Sequence, residues 1–282
     1  MTRNDDTRAR IERAVAGRYG SAIAIPPGCP GLEEFARIAE HRSHRNFLPR
    51  PVAPELLRLL FACAFSAPSK SDLQQADIVH VANAEKRKTI ADTIPEMPWV
   101  AGAPVFLVFC ANNRRIRAIG EWRGKPFVNE HLDHFMNAAV DAALVMMSFI
   151  RAAEAAGLGT CPVSAVRNRP DVVSRVLELP AGVFPVAGLC VGYPAEEGRI
   201  SPRLPLDVTV HADRYDENGL KERIETYDRR RHALAPYRRQ RYADRYAAVE
   251  FYGWSEDKAR QYSVPERADF GTFIRSRGFS LK

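Results

Sequence analysis

The stretch AAVDAALVMMSFIRAAEAAGLGTCPVSA, residues 138–165, decides most of what can be predicted about this fold. Its first part belongs to one long helix, predicted over residues 128–156 and ended by Gly157, since glycine is favoured directly after a helix. Residues 138–150 are apolar on every face of this helix apart from Asp141, and such a helix must be covered on all sides. Either the core of a monomer or an interface between two copies can provide that cover, and we favour the interface.

Shorter helices and strands are predicted on both sides of the long helix. The predicted helices cover residues 8–18, 32–40, 54–67 and 169–179, with two or three more between 220 and 277. The predicted strands cover residues 78–82, 104–110 and 186–193, which are short runs rich in β-branched or aromatic residues. A few strands separated by helices place the chain in the α+β class with a central sheet.

The composition indicates a globular protein with a basic surface. The chain has 282 residues, 46% of them hydrophobic, and a formal charge of +7, which suits either nucleic acid or a phosphate-bearing small ligand. The five cysteines are scattered and form no CxxC pair, so we expect free thiols, no metal site and a reducing cytoplasm. The N-terminus, MTRNDDTRAR, has no apolar signal core, and residues 138–150 are too few to cross a membrane. We therefore expect a cytoplasmic protein.

Two polar segments before the first predicted strand are candidates for ligand binding. Residues 41–47, HRSHRNF, concentrate two arginines, two histidines and a serine. Arginine binds phosphate oxygens through paired N–H donors, and serine adds a hydroxyl donor. Residues 67–74, APSKSDLQ, form a small polar loop in which Gln74 can both donate and accept hydrogen bonds. Each segment alone is typical of a solvated turn.

Two further segments follow the long helix. Residues 157–165, GLGTCPVSA, are predicted to form a loop in which glycines let a flat ligand approach backbone N–H groups. Residues 201–205, SPRLP, hold Arg203 as a lone cation between prolines. The chain contains neither a GxGxxG nor a Walker motif, so these segments do not indicate the common nucleotide-binding folds.

Taken in order, HRSxR, PSxxxxQ, GLGTCPxS and PRLP resemble the nitroreductase family. The tail, with GWS at residues 253–255 and RGF at residues 277–279, is similar to the longer, NADPH-preferring flavin reductases of that family. The resemblance covers residues 31–282. It implies a nitroreductase-like α+β fold: a central mixed, mostly antiparallel sheet surrounded by helices, a helical C-terminal extension and an intertwined homodimer.

The resemblance also implies how the chain is organised. Residues 1–30 would form an N-terminal helical segment, and residues 31–215 the FMN-binding core. Residues 216–282 would form a C-terminal helical extension packing on the dimer, all within one structural domain.

The cofactor implied by the resemblance is FMN, with NADPH or NADH as electron donor. The implied FMN-binding residues are His41, Arg42, Ser43, Arg45, Ser69, Ser71, Gln74, Pro162, Val163, Ser164, Ala165 and Arg203. Of these, Arg42, Ser43 and Arg203 would hold the phosphate and ribityl chain. Arg45 would place a cation near the N1–C2=O edge, where it stabilises the reduced flavin. The backbone N–H of Ser164 would point to flavin N5.

The predicted FMN site is shared between two subunits, since the resemblance implies that Ser69, Ser71 and Gln74 come from the partner. The chain also departs from the family pattern. Ser201 stands where the family often has lysine, so one phosphate-binding cation is missing. Asp72 replaces a neutral or apolar residue and could repel an anionic acceptor.

The resemblance implies ping-pong hydride transfer through flavin N5 from the nicotinamide to small acceptors such as nitroaromatics and quinones. The chemistry belongs to the flavin, so no catalytic side chain and no metal are expected. Two alternatives stay open: a different flavin reaction, such as reductive dehalogenation or ring dehydrogenation, and a nucleic-acid-binding protein that uses residues 229–245. We favour the reductase, acting as a homodimer without nucleic-acid or membrane partners.

Overall fold

The computed structural model describes residues 3–282; residues 1 and 2, part of the predicted N-terminal segment, lie outside that range. The helices are α1 (Arg3–Tyr19), α2 (Leu32–Ala39), α3 (Pro54–Phe65), α4 (Ala84–Ala91), α5 (Trp99–Gly102), α6 (Arg114–Trp122), α7 (Leu132–Ala155), α8 (Pro170–Val176), α9 (Leu206–Thr209), α10 (Leu220–Leu234), α11 (Trp254–Tyr262) and α12 (Phe270–Ser276). The strands are β1 (Ala76–His80), β2 (Val105–Asn112), β3 (Gly159–Val163) and β4 (Val183–Gly192).

The chain divides into two compact units that each contain two separate segments. The first unit consists of residues 1–41 and 199–266, and the second of residues 42–198 and 267–282. The predicted division at residues 30 and 215 stays a prediction.

The second unit contains a four-stranded sheet in the order β1-β2-β4-β3. The α+β class and the central sheet are therefore confirmed. All three strand pairs are antiparallel. An isolated bridge between Ser43 and Thr160 is parallel and adds a short segment beside β3.

The sheet is covered on both faces because the side chains of its central strands alternate between two apolar clusters. On one face, Leu107 and Phe109 of β2 pack with residues of α3 and α7, including Phe149. On the other face, Phe106 and Val108 pack with a second cluster that includes helices α4 and α8. Every residue of β2 is buried, as expected for a central strand covered on both sides.

Helix α7 begins at Leu132, four residues after its predicted start, and runs for 24 residues. Among residues 3–282, α7 is the helix that by length and composition alone could cross a membrane, a test that the core helix of a globular protein also passes. The apolar run on which the prediction rests, residues 138–150, is 13 residues long and includes Asp141, and the helix continues beyond both of its ends. One side of α7 packs on the sheet through residues such as Val145 and Phe149.

The opposite side of α7 carries exposed apolar residues at intervals of three or four, which places them on one face of a helix. We call Leu132, Met136, Val140, Leu144 and Met147 the α7 stripe. Their exposed fractions lie between 37% and 58%. A continuous row of exposed apolar side chains is unusual on a surface that contacts only water.

The segment GLGTCPVSA is not the predicted loop, because its residues Gly159–Val163 form edge strand β3. Gly157, at φ +76°, ends α7 in the left-handed conformation, and its N–H donates to the carbonyl of Glu154. A side chain at Gly159 would lie 2.8 Å from the His44 ring. Both glycines therefore have structural roles. Pro162 is tolerated because β3 is an edge strand, where a missing backbone N–H does not interrupt a ladder of hydrogen bonds.

The end of the chain belongs to the second unit. Helix α12 and the residues after it pack an aromatic cluster in which Phe279 lies 5.1 Å from Phe184, ring centre to ring centre. The carbonyl of Lys282 accepts a hydrogen bond from Leu132 N–H at the start of α7. The sheet, α7 and the C-terminus are thus one packed body.

The first unit is mainly helical. Helix α1 packs on α2 through Ile11, Leu32 and Ala36, and Arg10 forms ion pairs with Glu33 and Glu40. A second pair of helices, α10 and α11, is joined through the Asp228 carboxylate, which accepts from Ser255.

Lowering the pH is expected to destabilise the second unit through His134, a buried residue of α7. Its ring lies 4.9 Å from that of Phe127. Burial lowers the pKa of His134, Arg117 lowers it further, and Glu130 and Asp133 oppose the change. At a pH between the pKa values of His134 in the folded and unfolded chains, the unfolded chain therefore binds a proton that the folded chain does not bind. The free energy of unfolding should stay constant above about pH 7 and fall as the pH drops below about 6.5, the ordinary histidine value.

Urea unfolding between pH 5 and pH 8 measures this effect. His134→Gln should flatten the pH dependence, by at most about 1.4 kcal/mol per pH unit for one proton. His211→Gln, in the first unit, is the control and should leave the slope unchanged. An identical slope in wild type and His134→Gln would contradict the prediction.

Candidate active site

Residues 42–47 of the segment HRSHRNF lie along the outer edge of the sheet. Ser43 pairs with Thr160 of β3, and the His44 N–H donates to the Thr160 carbonyl at 2.8 Å. Because Pro162 follows Thr160 along β3, the structure brings the predicted Arg42–Arg45 and Pro162–Ala165 segments together within one unit. Thr160 Oγ1 is buried and finds no hydrogen-bond partner in the part of the chain that the structure describes.

The arginines of this segment can still bind a ligand through their guanidinium groups. Arg42 Nη2 contacts Glu197 Oε1 at 3.0 Å, but Arg42 Nε is buried and has no hydrogen-bond partner among residues 3–282. The Arg45 guanidinium lies 5.5 Å from the centre of the Trp99 ring, and no carboxylate of residues 3–282 forms an ion pair with it. A partly buried guanidinium with an unused N–H suits a phosphate, which accepts several charge-assisted hydrogen bonds.

The predicted flavin-lining residues 162–165 differ in the solvent exposure of their side chains. The side chains of Val163 and Ala165 are buried in the core, so they can reach a ligand only through their backbone. Pro162 and Ser164 are exposed at the edge. Ser164 Oγ lies 3.5 Å from Arg267 Nη2.

Arg267 is held beside this edge by a second contact, since its Nε donates to Asn168 Oδ1 at 2.8 Å. Its backbone adopts φ +55°, a conformation that costs a residue other than glycine about 1–3 kcal/mol and is concentrated at functional sites. The structure therefore places a cation from the C-terminal segment next to Ser164.

The loop of Ser69, Ser71 and Gln74 is held by Asp141, whose side chain is 2% exposed. Asp141 Oδ2 accepts from Ser69 Oγ at 2.6 Å and from Gln75 N–H at 3.0 Å. Its Oδ1 accepts from the Lys70 N–H at 3.1 Å. The loop lines a cavity of about 660 Å³.

Three residues of this loop are strained: Ser71, Asp72 and Gln74 have φ between +49° and +57°. Left-handed backbone is unfavourable for each of them. Asp141 anchors both ends of this loop, at Ser69–Lys70 and at Gln75, and these hydrogen bonds hold the strained residues in place.

The loop and the arginine segment lie far apart within one chain. The loop leads into Ala76 of β1, which is aligned through Ala111 with Phe184 near the start of β4. Thr160 of β3 is aligned with Val191 near the end of β4. The two segments are therefore at opposite edges and opposite ends of the sheet, more than about 20 Å apart from strand spacing and rise alone.

His41 and Arg203 belong to the first unit. The Arg203 N–H donates to the carbonyl of Arg18 at 2.8 Å, and the His41 carbonyl accepts from the Arg18 guanidinium. Arg203 also borders a cavity of about 580 Å³ together with Arg231 and Trp254.

Three residues that the structure places at these segments were not predicted: Asp141, Arg267 and Arg18. A lone carboxylate in an apolar helix is itself a signal, because a charge is buried only when it has partners. For Arg18 and Arg267 the sequence offers no local signal, since their partners lie 21 to 183 residues away.

Comparisons with known proteins agree with these observations. Residues 38–193 match the model of the nitroreductase family, and residues 201–282 match the model of its C-terminal domain. A Bacillus subtilis protein named FMN reductase (NAD(P)H) is 32% identical over 253 residues, which are 89% of this chain and 99% of that protein. The oxygen-insensitive NADPH nitroreductase of Salmonella typhimurium is 30% identical over 247 residues, covering 87% of this chain and 97% of that protein.

A solved structure, that of B. megaterium NfrA2, has a TM-score of 0.80 to this chain and 30% identity, with 89% of this chain and 99% of the other covered. A family model that spans more than half of the chain, together with relatives at this identity over nearly their whole length, is sufficient for assignment. The chain belongs to the nitroreductase family.

Proposed function

We propose that this protein is an FMN-dependent oxidoreductase that takes reducing equivalents from NAD(P)H and passes them to small acceptors such as nitroaromatics or quinones. The observation that carries the proposal is the position of the Arg42–Arg45 segment beside the exposed edge of β3, with Arg42 Nε buried and unpaired within the described residues. The names of the relatives, an NAD(P)H-linked FMN reductase and an NADPH nitroreductase, support it. Alternative flavin reactions are not favoured by these names.

The residues present fit FMN. Arg42 and Ser43 would bind the phosphate and ribityl chain, and Arg45 would lie at the pyrimidine edge, where a cation favours the reduced state. Pro162 and the backbone of Ser164 would border the ring. The family resemblance assigns His41 and Arg203 to the cofactor as well, and we retain both in the proposal.

When bound, FMN supplies hydride transfer between the nicotinamide and the acceptor. The protein binds and orients the partners and excludes competing groups. Cys161, next to Pro162, does not add a nucleophile, because burial raises the pKa of its thiol although Arg45 opposes the rise. A protonated thiol is a weak nucleophile.

We propose that the enzyme is a homodimer with FMN between the subunits. The α7 stripe supports this, since a row of exposed apolar side chains on one helix face is typical of an interface. The separation of the Ser69–Gln74 loop from the Arg42–Arg45 segment also supports it, because only a second copy could bring both to one flavin. We propose that a partner subunit, and not lipid, covers the exposed face of α7. We also propose that the enzyme is cytoplasmic.

Nucleic-acid binding through residues 229–245 is not favoured. Arg231 lies 4.2 Å from the centre of the Tyr237 ring, and Arg241 forms an ion pair with Asp257 at 3.0 Å. Several basic side chains of this segment therefore stabilise the first unit.

The visible spectrum of the purified protein tests the proposed function. We expect a yellow protein whose flavin absorbance is bleached by NADPH without oxygen and restored by a nitroaromatic or quinone. Parallel titration with NADH establishes the donor preference. A colourless protein that does not bind added FMN would exclude this function.

Replacing Arg42 by alanine is expected to weaken FMN binding about 30- to 150-fold. The change removes charge-assisted hydrogen bonds worth roughly 2–3 kcal/mol to the phosphate. Glu197→Gln, which removes a carboxylate that competes for the same guanidinium, should leave FMN affinity equal or raise it. Dissociation constants from flavin fluorescence titration measure both variants, and an Arg42→Ala protein with wild-type affinity would contradict the assignment.

A further inference from the structure

Arg18, near the end of α1, has its guanidinium buried among backbone carbonyls. The residue is 7% exposed. Its Nε donates to the Ala39 carbonyl at 3.1 Å, and its Nη1 donates to the Ser201 carbonyl at 3.2 Å. Its Nη2 donates to the His41 carbonyl. One side chain therefore joins the end of α2 to the segment SPRLP, whose first residue lies 183 residues after Arg18.

The backbone of Arg18 makes a second connection to the same segment. Its carbonyl accepts from the Arg203 N–H at 2.8 Å and from Arg230 Nη2 at 2.9 Å. Arg230 Nη2 also donates to the Arg203 carbonyl at 2.8 Å. The Ser201–Arg203 backbone is thus held on both sides by buried or half-buried guanidinium groups.

This arrangement is located where the chain departs from the family pattern. Ser201 stands in place of the lysine that the resemblance leads us to expect two residues before Arg203. The guanidinium hydrogen-bonded to the Ser201 carbonyl comes from α1, which precedes residue 38, where the match to the family model begins.

We propose that Arg18 is a positioning residue of the cofactor site, which fixes the Ser201–Arg203 segment so that Arg203 is held ready for the FMN phosphate. The proposal rests on the proposed function, in which Arg203 binds that phosphate. Holding a cation in place before binding saves the entropy of ordering it, and small displacements weaken charge-assisted hydrogen bonds.

The test uses flavin titration of the full-length protein after removal of bound flavin, with FMN and riboflavin as the two probes. Riboflavin lacks the phosphate, so the ratio of the two affinities isolates phosphate binding. Arg18→Ala should weaken FMN binding at least 10-fold and change riboflavin binding less than 2-fold. Arg13→Ala, an exposed arginine of the same helix, is the matched control and should change neither.

Arg18→Lys keeps the positive charge and the aliphatic part of the side chain but replaces the planar guanidinium by an ammonium group, so we expect an intermediate loss of FMN affinity. It also provides the measurement if Arg18→Ala does not fold. Equal loss of both affinities with a lower Tm would show a general structural role and overturn the proposal, as would wild-type FMN affinity in Arg18→Lys. If the wild-type protein binds neither flavin, the proposed function fails instead.

Discussion

Replacing Asp141 by alanine is expected to lower the free energy of unfolding by about 3–5 kcal/mol and to remove bound FMN from the purified protein. The carboxylate is buried in α7 and accepts hydrogen bonds from the Ser69 hydroxyl and from the N–H groups of Lys70 and Gln75. Without Asp141, three donors lose their acceptor in a place that water reaches poorly. Each unsatisfied donor costs about 1–3 kcal/mol, so this substitution should be among the most damaging in the second unit.

The loss of cofactor follows from backbone strain in the same loop. Ser71, Asp72 and Gln74 adopt positive φ angles that are unfavourable for residues with side chains. Asp141 is the group that holds both ends of the loop, at Ser69 and at Gln75. Once released, the loop should relax to ordinary backbone angles, and the proposed contacts to the flavin of the other subunit would be lost.

Chemical denaturation and the flavin content after purification measure these effects. Asp133→Ala, at an exposed position on the same helix, is the matched control and should change stability by no more than about 0.5 kcal/mol. Asp141→Asn keeps the shape but can serve fewer donors, so we expect an intermediate loss. Asp141→Ala with wild-type stability and full flavin content would show that the loop does not depend on this carboxylate.

Elements with a strong local pattern could be predicted from the sequence. The central strands β2 and β4 are continuous apolar runs, and α3 and α7 have helical periodicity ended by proline or glycine, so their positions were predicted to within a few residues. Strand β1 begins two residues before its prediction because polar Asp77 pairs with Arg115, a contact that no local pattern shows.

Features that depend on tertiary contacts could not be predicted. Strand β3 resembles a loop because it contains proline and follows two glycines, and only its pairing with β4 makes it a strand. The glycine at position 159 was interpreted as room for a ligand, whereas the His44 ring occupies that space. The adjacency of Arg42–Arg45 to β3 likewise arises from pairing across more than 100 residues.

Replacing Val140 by glutamate, in the middle of the α7 stripe, is expected to convert the protein into a monomer without FMN. Val140 is 45% exposed in one subunit and would be buried in the proposed dimer. Symmetric interfaces place the same residue of both copies in contact, so one substitution introduces two buried charges. At about 3 kcal/mol for each, the dissociation constant should rise roughly 10⁴-fold.

Light scattering after size-exclusion chromatography and the flavin content of the peak measure the outcome. Val210→Glu, which changes an exposed valine of the first unit outside the stripe, should remain dimeric and yellow. Because Asp141 and the sheet lie on the other side of α7, the Val140→Glu monomer should keep its helical circular dichroism while losing FMN. That combination would separate assembly from folding and show that one chain alone cannot complete the cofactor site. A monomer that retains FMN would contradict the shared site, and the Ser69–Gln74 loop would then need another function.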